Sequence, residues 1–352
     1  MAQPLIINRV GEIWSPKGLV AHADSKREME YLNSLGVDQP ITTLTSILPT
    51  IIEQKFYEMP LADFVDISVG QGNPFDNILF NWSTGIEGGD FESGLINMAS
   101  NTSNTMADDI FIESIERKTI GWKKNVNYNI LQEGTFSRGT QNMDYVQAKY
   151  RARKKEYDLG IQKLVNVGLT FNNVDYAGIL TQQGVTADSE TIDKKLKEMT
   201  DTEFVTFLSK IIPAFQKNCN YVAYPNRFLI PQDDLVGLGS MPVKYTDGAI
   251  PFVGGTRLQM LENVGKSFAP DFKVVGSAYA MKDNNGKFAG LNKDRYVLYN
   301  KKADTIAMDI PLDFTVTLPG TANGFDYTSA AYSRFTGVKA FRPQEVLYFD
   351  IA

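Results

Sequence analysis

The chain has 352 residues, of which 43% are hydrophobic and 22% charged, with a formal net charge of −6. That length exceeds one typical core and predicts two intimately connected domains with projecting parts, while no apolar run approaches the roughly 20 residues that a bilayer span needs. The acid excess argues against tight wrapping of nucleic acid, and a single cysteine, Cys219, excludes a disulfide framework or a thiolate metal cluster.

The opening Met1-Ala-Gln-Pro-Leu-Ile-Ile-Asn lacks a basic stretch followed by an apolar one, so no secretory signal is expected and synthesis in the cytoplasm is. Residues 1 to about 40 mix Gly, Pro, Lys and Glu without a sustained period and predict an arm with little core of its own. From Thr42, the spacing of Leu44, Ile47, Leu48, Ile51, Ile52 and Phe56 predicts a helix that Met59-Pro60 ends. A short strand over Phe64–Val69 and a turn-rich loop over Gly70–Pro74 follow, and extended structure resumes at Ile78–Trp82.

From Ile110 the alternation is long. Ile110, Ile112, Ile120, Trp122, Val126, Tyr128 and Ile130 share one parity, which predicts a strand with one apolar and one wet face. At about 3.3 Å per residue such a strand reaches on the order of 70 Å. Met143–Val167 then changes period: Val146, Tyr150, Tyr157, Ile161, Leu164 and Val165 recur at helical spacing, with Asp144 near the start and Gly168 at the end. An isolated two-stranded arm is only marginally stable in water, so this excursion implies a neighbouring subunit that holds it.

Downstream, Thr200 and Glu203 form a capping box ahead of a helix through Phe215. Strands are expected at Tyr221–Ala223, Arg227–Pro231, Phe272–Ala280, Arg295–Asn300 and Ile306–Val316, with a helix near Thr256–Val264 and a turn at Asn285-Gly286. Such alternation implies a central sheet flanked by helices. The tail holds two β-prone stretches joined at Pro343, and the long strand of 110–130 is its expected partner.

Chemistry is sparse. Cys219 sits among apolar residues, and the only histidine, His22, lies far away in sequence, so a nucleophilic thiol is not expected. Glu113 with Glu116, or Asp233 with Asp234, supply the two carboxylates of a glycoside hydrolase on paper, but nothing places either pair in a cleft. Asp233-Asp234 and Asp283-Asn284-Asn285-Gly286 lack the oxygen spacing of a calcium loop, and turn chemistry accounts for both. No metal or cofactor site is expected.

The order of parts, with Ala107-Asp108-Asp109-Ile110 leading into a long strand, Asp144-Tyr145-Val146-Gln147-Ala148 opening a helix, Tyr176-Ala177-Gly178-Ile179-Leu180 after it and Tyr348-Phe349-Asp350-Ile351 in the tail, resembles the major capsid proteins of tailed bacteriophages. Their Hong Kong 97-like fold is shared with encapsulin shells. The resemblance covers residues 42–352 and implies an α+β fold. In this fold residues 1–41 are an N-terminal arm, 42–74 and 136–199 a peripheral domain with a spine helix at 141–168, and 75–135 an extended β-hairpin loop. Residues 200–325 are then an axial domain and 326–352 return strands of the peripheral domain.

It further implies a non-enzymatic virion protein that forms hexamers and pentamers with itself around double-stranded DNA, meeting portal and cement proteins and no membrane. An encapsulin-like compartment is the nearest alternative. On this resemblance Arg117, Lys118, Lys123 and Lys124 pair with acids on the next subunit, and Arg151, Arg153, Lys154 and Lys155 face DNA or neighbours rather than merely solvating a helix. Trp82 and Trp122 either anchor the loop on its neighbour or pack on each other; both readings stay open.

Overall fold

The computed structural model describes residues 6–7, 12–15, 18–22, 55–87, 109–137, 145–242, 255–282, 291–321 and 323–351. It divides into two compact units, Met1–Phe56 and Tyr57–Ala352. In the first, strands β1 (Ile6–Ile7), β2 (Glu12–Ser15) and β3 (Gly18–His22) form an antiparallel sheet in which Ile7 opposes Ile13 and Glu12 opposes His22. A segment with no sustained period thus still carries paired strands. The helix expected from Leu44 onward lies almost wholly outside the described residues, as does the Asn285-Gly286 turn.

The second unit opens with a one-turn helix α1 (Leu61–Phe64) and strand β4 (Asp66–Val69), so the expected strand begins two residues late. Next come β5 (Ile78–Glu87), β6 (Asp109–Asn129), α2 (Ile130–Ser137), α3 (Tyr145–Asn166) and the hairpin β7 (Gly168–Phe171) to β8 (Val174–Ala177). Strand β9 (Thr186–Asp188) leads to α4 (Asp201–Asn218), β10 (Arg227–Pro231), α5 (Gln232–Ser240), α6 (Arg257–Lys266) and β11 (Lys273–Ser277). The strands of the remainder are β12 (Asp294–Tyr299), β13 (Ile306–Ile310), β14 (Leu312–Val316), β15 (Gly320–Thr321), β16 (Asp326–Thr336), β17 (Lys339–Ala340) and β18 (Val346–Ile351).

A five-stranded sheet in the order β11-β10-β12-β18-β9 divides this unit into two cores. Alternation along each strand does the dividing. Leu229, Val275, Val297, Tyr299, Val346 and Tyr348 pack on one side with Ile161, Leu164 and Val165 of α3. Their neighbours Phe228, Val274, Tyr296, Leu298, Leu347 and Phe349 pack on the other with Phe204, Phe207, Ile211 and Phe215 of α4. The capping box closes as expected, with the Thr200 hydroxyl accepting from Glu203 N–H and the Glu203 carboxylate accepting from Thr200 N–H at 2.9 Å.

Several expectations are corrected. Tyr221–Ala223 is a turn, because Asn220 and Tyr221 hold positive φ. Ile306–Val316 is two strands in different sheets, parted at Pro311, whose ring leaves no N–H for a ladder. Asp233-Asp234 is the first turn of α5, where Asp234 is buried and accepts from Leu196 N–H at 3.1 Å and from the Tyr296 hydroxyl. The tail splits too. Strand β16 pairs with β6 as expected, from Asp326 opposite Asn129 to Thr336 opposite Thr119, but β18 enters the central sheet between β12 and β9.

Two predictions arise here. Gly168 ends α3 at φ +84, with the Tyr176 carbonyl and the Gly178 N–H where a Cβ would stand. Gly168→Ala is expected to cost about 2–4 kcal/mol in a denaturant titration, since left-handed strain and a backbone clash coincide. The second concerns Arg295 and Asp350, directly opposed on β12 and β18, where the guanidinium donates at 2.6 and 2.9 Å to the two carboxylate oxygens. Burial pushes the Asp350 carboxyl up, but hydrogen bonds from Arg295 and Lys293 outweigh it and hold it below the ordinary range. With its folded value depressed, the pair's stabilisation is complete above the usual carboxylate range and is lost as pH falls through the folded value. Asp350→Asn is therefore expected to flatten the acid limb of a melting-temperature profile below about pH 4.

A bare ribbon and a basic helix as the candidate assembly surface

Strand β6 runs 21 residues without a break in register, and two partners share it. Its second half pairs with β16, whereas its first half pairs only with β5, from Ile78 opposite Lys118 to Glu87 opposite Asp109. Helix α3 covers the even-numbered face of the second half: the Trp122 ring lies 5.2 Å from that of Tyr157, and the Tyr157 hydroxyl meets Ser333 Oγ at 2.8 Å. Nothing described covers the same face of the first half.

Directly opposed residues of an antiparallel pair share a face, so Phe80, Trp82 and Ile78 of β5 lie with Ile110 and Ile112 of β6 in one stripe. All five are exposed, Trp82 by 74%. Where α3 ends its cover, the apolar parity continues into solvent. An uncovered stripe of this kind on a two-stranded ribbon marks a surface meant to be buried by another molecule.

The base of the ribbon is anchored by charge rather than by apolar contact. Arg117 is 8% exposed, pairs with Asp309, donates to Asn81 and lies over the Phe341 ring at 5.1 Å. Asp309 also accepts from the Ser68 hydroxyl. Arg117 is thus a correction: its guanidinium is engaged inside the subunit and is not offered to the next one.

Two further candidates are corrected in the same way. Arg153 is 2% exposed and donates to the Ser329 carbonyl at 2.7 Å, and burial lowers the pKa of its guanidinium. Trp122 is half-buried between Tyr157 and Phe314, far along β6 from Trp82, so the two tryptophans do not stack. Lys124 contacts Glu156, and Lys155 contacts Glu58, within the subunit. Lys118, Lys123, Arg151 and Lys154 stand exposed, as Trp82 does.

Neither carboxylate pair has the geometry of a glycosidase. Glu113 and Glu116 are three residues apart on a strand and point to opposite faces of the ribbon. Asp233 reaches toward Lys197 in solvent while Asp234 is buried, where desolvation raises its pKa. A cleft of about 630 Å³ at the ribbon's base is lined by Glu116, Lys118, Thr170, Asp175, Gln183 and Lys339 among others. In it Asp175 already accepts from the Thr170 hydroxyl at 2.7 Å. Among the described residues no helix is long and apolar enough to cross a membrane.

Sequence reasoning missed the β7–β8 hairpin, whose Asn172-Asn173 turn holds two positive φ angles; the adjacent asparagines between β-prone residues were the signal.

Comparison with known proteins gives these parts a context. The chain is similar in structure to the capsid of Myoviridae phage XM1 at 14% identity and a TM-score of 0.70, covering 90% of this chain and 100% of that one. It is also similar to a chain of Mycobacterium phage Cain (11%, TM-score 0.55, 94% and 99% covered) and to the capsid of a native GTA particle (12%, 0.52, 88% and 96%). Identities this low speak for fold alone. No curated protein matches the sequence. The family model described as "Major capsid protein" matches residues 97–351, which take in β6, α3, most of both cores and the returning strands. With most of its length matched, the chain belongs to the major capsid protein family, and its fold is the Hong Kong 97-like fold of tailed-phage capsids.

Proposed function

We propose that the chain assembles with copies of itself into hexamers and pentamers of an icosahedral phage shell that encloses double-stranded DNA. The stripe of Ile78, Phe80, Trp82, Ile110 and Ile112 carries this reading, because apolar side chains on a thin ribbon gain stability only when a neighbour takes them out of water. Each large one fully buried contributes about 1.5–3 kcal/mol, and ring closure repeats the contact at every subunit. In this reading residues 75–135 are the loop that overlaps the neighbour, 141–168 the spine of the peripheral domain and 200–325 the axial domain. Portal and cement proteins are its further partners, contact with DNA is non-specific, and synthesis takes place in the cytoplasm of a bacterial host.

The test is to express the full chain alone and image it by electron microscopy. Rings, tubes or closed particles are expected. A monodisperse monomer at every concentration tried would overturn the proposal, and particles holding protein cargo instead of DNA would favour an encapsulin-like compartment.

A further inference from the structure

Strand β6 changes partner between two adjacent residues. Lys118 is opposite Ile78 of β5, Thr119 is opposite Thr336 of β16, and the two partners lie on opposite edges of β6. Apart from one backbone bond, from Thr119 N–H to the Asn77 carbonyl at 2.9 Å, neither ladder runs past that point. The ribbon is therefore joined to the peripheral sheet through a single strand. Strands twist easily, since neighbours in a sheet are rotated by anything from about 10 to 35°. Strand β5 has 10 residues, or about 33 Å, so a change of about 10° at the joint carries its far end about 6 Å, more than one residue step along a strand.

A side chain from the far edge crosses this joint. Arg334 stands on β16 opposite Gly121, and its guanidinium spans β6 to reach the turn that feeds β5. Its Nε donates to Thr119 Oγ1 at 2.9 Å, Nη1 to the Pro74 carbonyl at 2.8 Å and Nη2 to Asn77 Oδ1. The Thr119 hydroxyl donates onward to the Asp76 carbonyl at 2.9 Å, and inside the turn Asn73 Oδ1 accepts from Phe75 N–H at 3.0 Å. A planar fork with donors in fixed directions holds three acceptors in one geometry, which a flexible ammonium does not. Arg117 is a different device: it ties the ribbon's base to Asp309 of β13 through a buried charge, so its loss unsettles the subunit itself. Arg334 is half-buried and its three acceptors are neutral, so little of the subunit's stability depends on it.

We propose that Arg334 is a positioning residue for assembly, which sets the angle at which the ribbon leaves the subunit by clamping the Pro74–Asn77 turn to β16. The proposal rests on the assembly reading above and adds to it the group that aims the ribbon. A ribbon free to swing presents its apolar stripe in the competent direction only part of the time, and its apparent affinity falls by that fraction.

Spin labels on the full chain at Thr84→Cys of β5 and Ala152→Cys of α3, both exposed positions, read that angle as a distance by pulsed electron resonance of the unassembled subunit; Cys219 is buried and stays unlabelled. With Arg334 in place one narrow distribution is expected, and with Arg334→Met one about twice as wide or more. Unlabelled Arg334→Met is expected to need about tenfold more protein to assemble, as when a tenth of the ribbons point correctly. Its denaturant midpoint is expected to stay close to that of wild type, because the turn is within reach of water, which takes over the freed acceptors. Thr119→Val removes the hydroxyl that Arg334 and Asp76 share and is expected to move width and threshold the same way by less; it carries the test if Arg334→Met does not fold. Equal widths with and without the guanidinium, a wider distribution with an unchanged threshold, or a threshold that rises only in step with lost folded subunit overturns the proposal. A wild-type chain that never assembles fails the assembly reading instead, while the distance distributions still decide whether Arg334 aims the ribbon.

Discussion

Replacing Trp82 by alanine is expected to leave the isolated subunit's melting temperature nearly unchanged and to raise the concentration needed for assembly by about 30-fold or more. The two halves of that result have separate causes. Trp82 is 74% exposed and touches no core cluster, so its truncation removes little from the folded monomer, within about 0.5 kcal/mol for a typical surface position. At an interface a central tryptophan costs about 2 kcal/mol or more when truncated, and 1.4 kcal/mol is a factor of ten. Light scattering against concentration reads the second effect, and calorimetry of unassembled subunit reads the first. Equal thresholds for variant and wild type would remove the ribbon's stripe from the interface.

Arg117→Met is expected to do the reverse. Losing the guanidinium leaves Asp309 buried with its charge unmatched, a change that costs about 3–5 kcal/mol at comparable sites. Denaturant midpoints of the subunit report it, with the assembly threshold changing only as far as folded subunit is depleted. Adding Asp309→Leu is expected to recover more than half of the loss, because the apolar pair no longer strands a charge, although the Ser68 hydroxyl then needs water. A single variant as stable as wild type would mean that the pair is solvated in solution.

These two residues also mark what the sequence discloses and what it hides. The 21-residue strand was legible because Ile110, Ile112, Ile120, Trp122, Val126 and Tyr128 share one parity, and parity survives any partner. The α4 start was legible because a capping box is local. Arg153 was legible in principle: it falls three residues after Tyr150 and four before Tyr157, on the apolar stripe of α3, yet it reads as one more member of a charged run. Arg117 gave no such sign, since its partner Asp309 is brought in by the β13–β4 pairing, 192 residues downstream.

The tail shows the opposite case. Val346-Leu347-Tyr348-Phe349 is continuously apolar instead of alternating, which is the mark of a strand covered on both faces and argues for the central sheet over a solvated edge. What the sequence alone cannot disclose is which half of β6 lies bare, because Ile110, Ile112, Ile120 and Trp122 are alike in type and differ only in whether α3 reaches them.

The position of β18 has a consequence for biogenesis. It is made after β9 and β12, the strands it parts, and it sends Val346 and Tyr348 into one hydrophobic cluster and Leu347 and Phe349 into the other. A nascent polypeptide that has not reached residue 346 therefore carries two unfinished interiors joined by a gap in the sheet between them. Both lobes thus wait on the same six residues, and a chain truncated ahead of them is expected to complete neither interior.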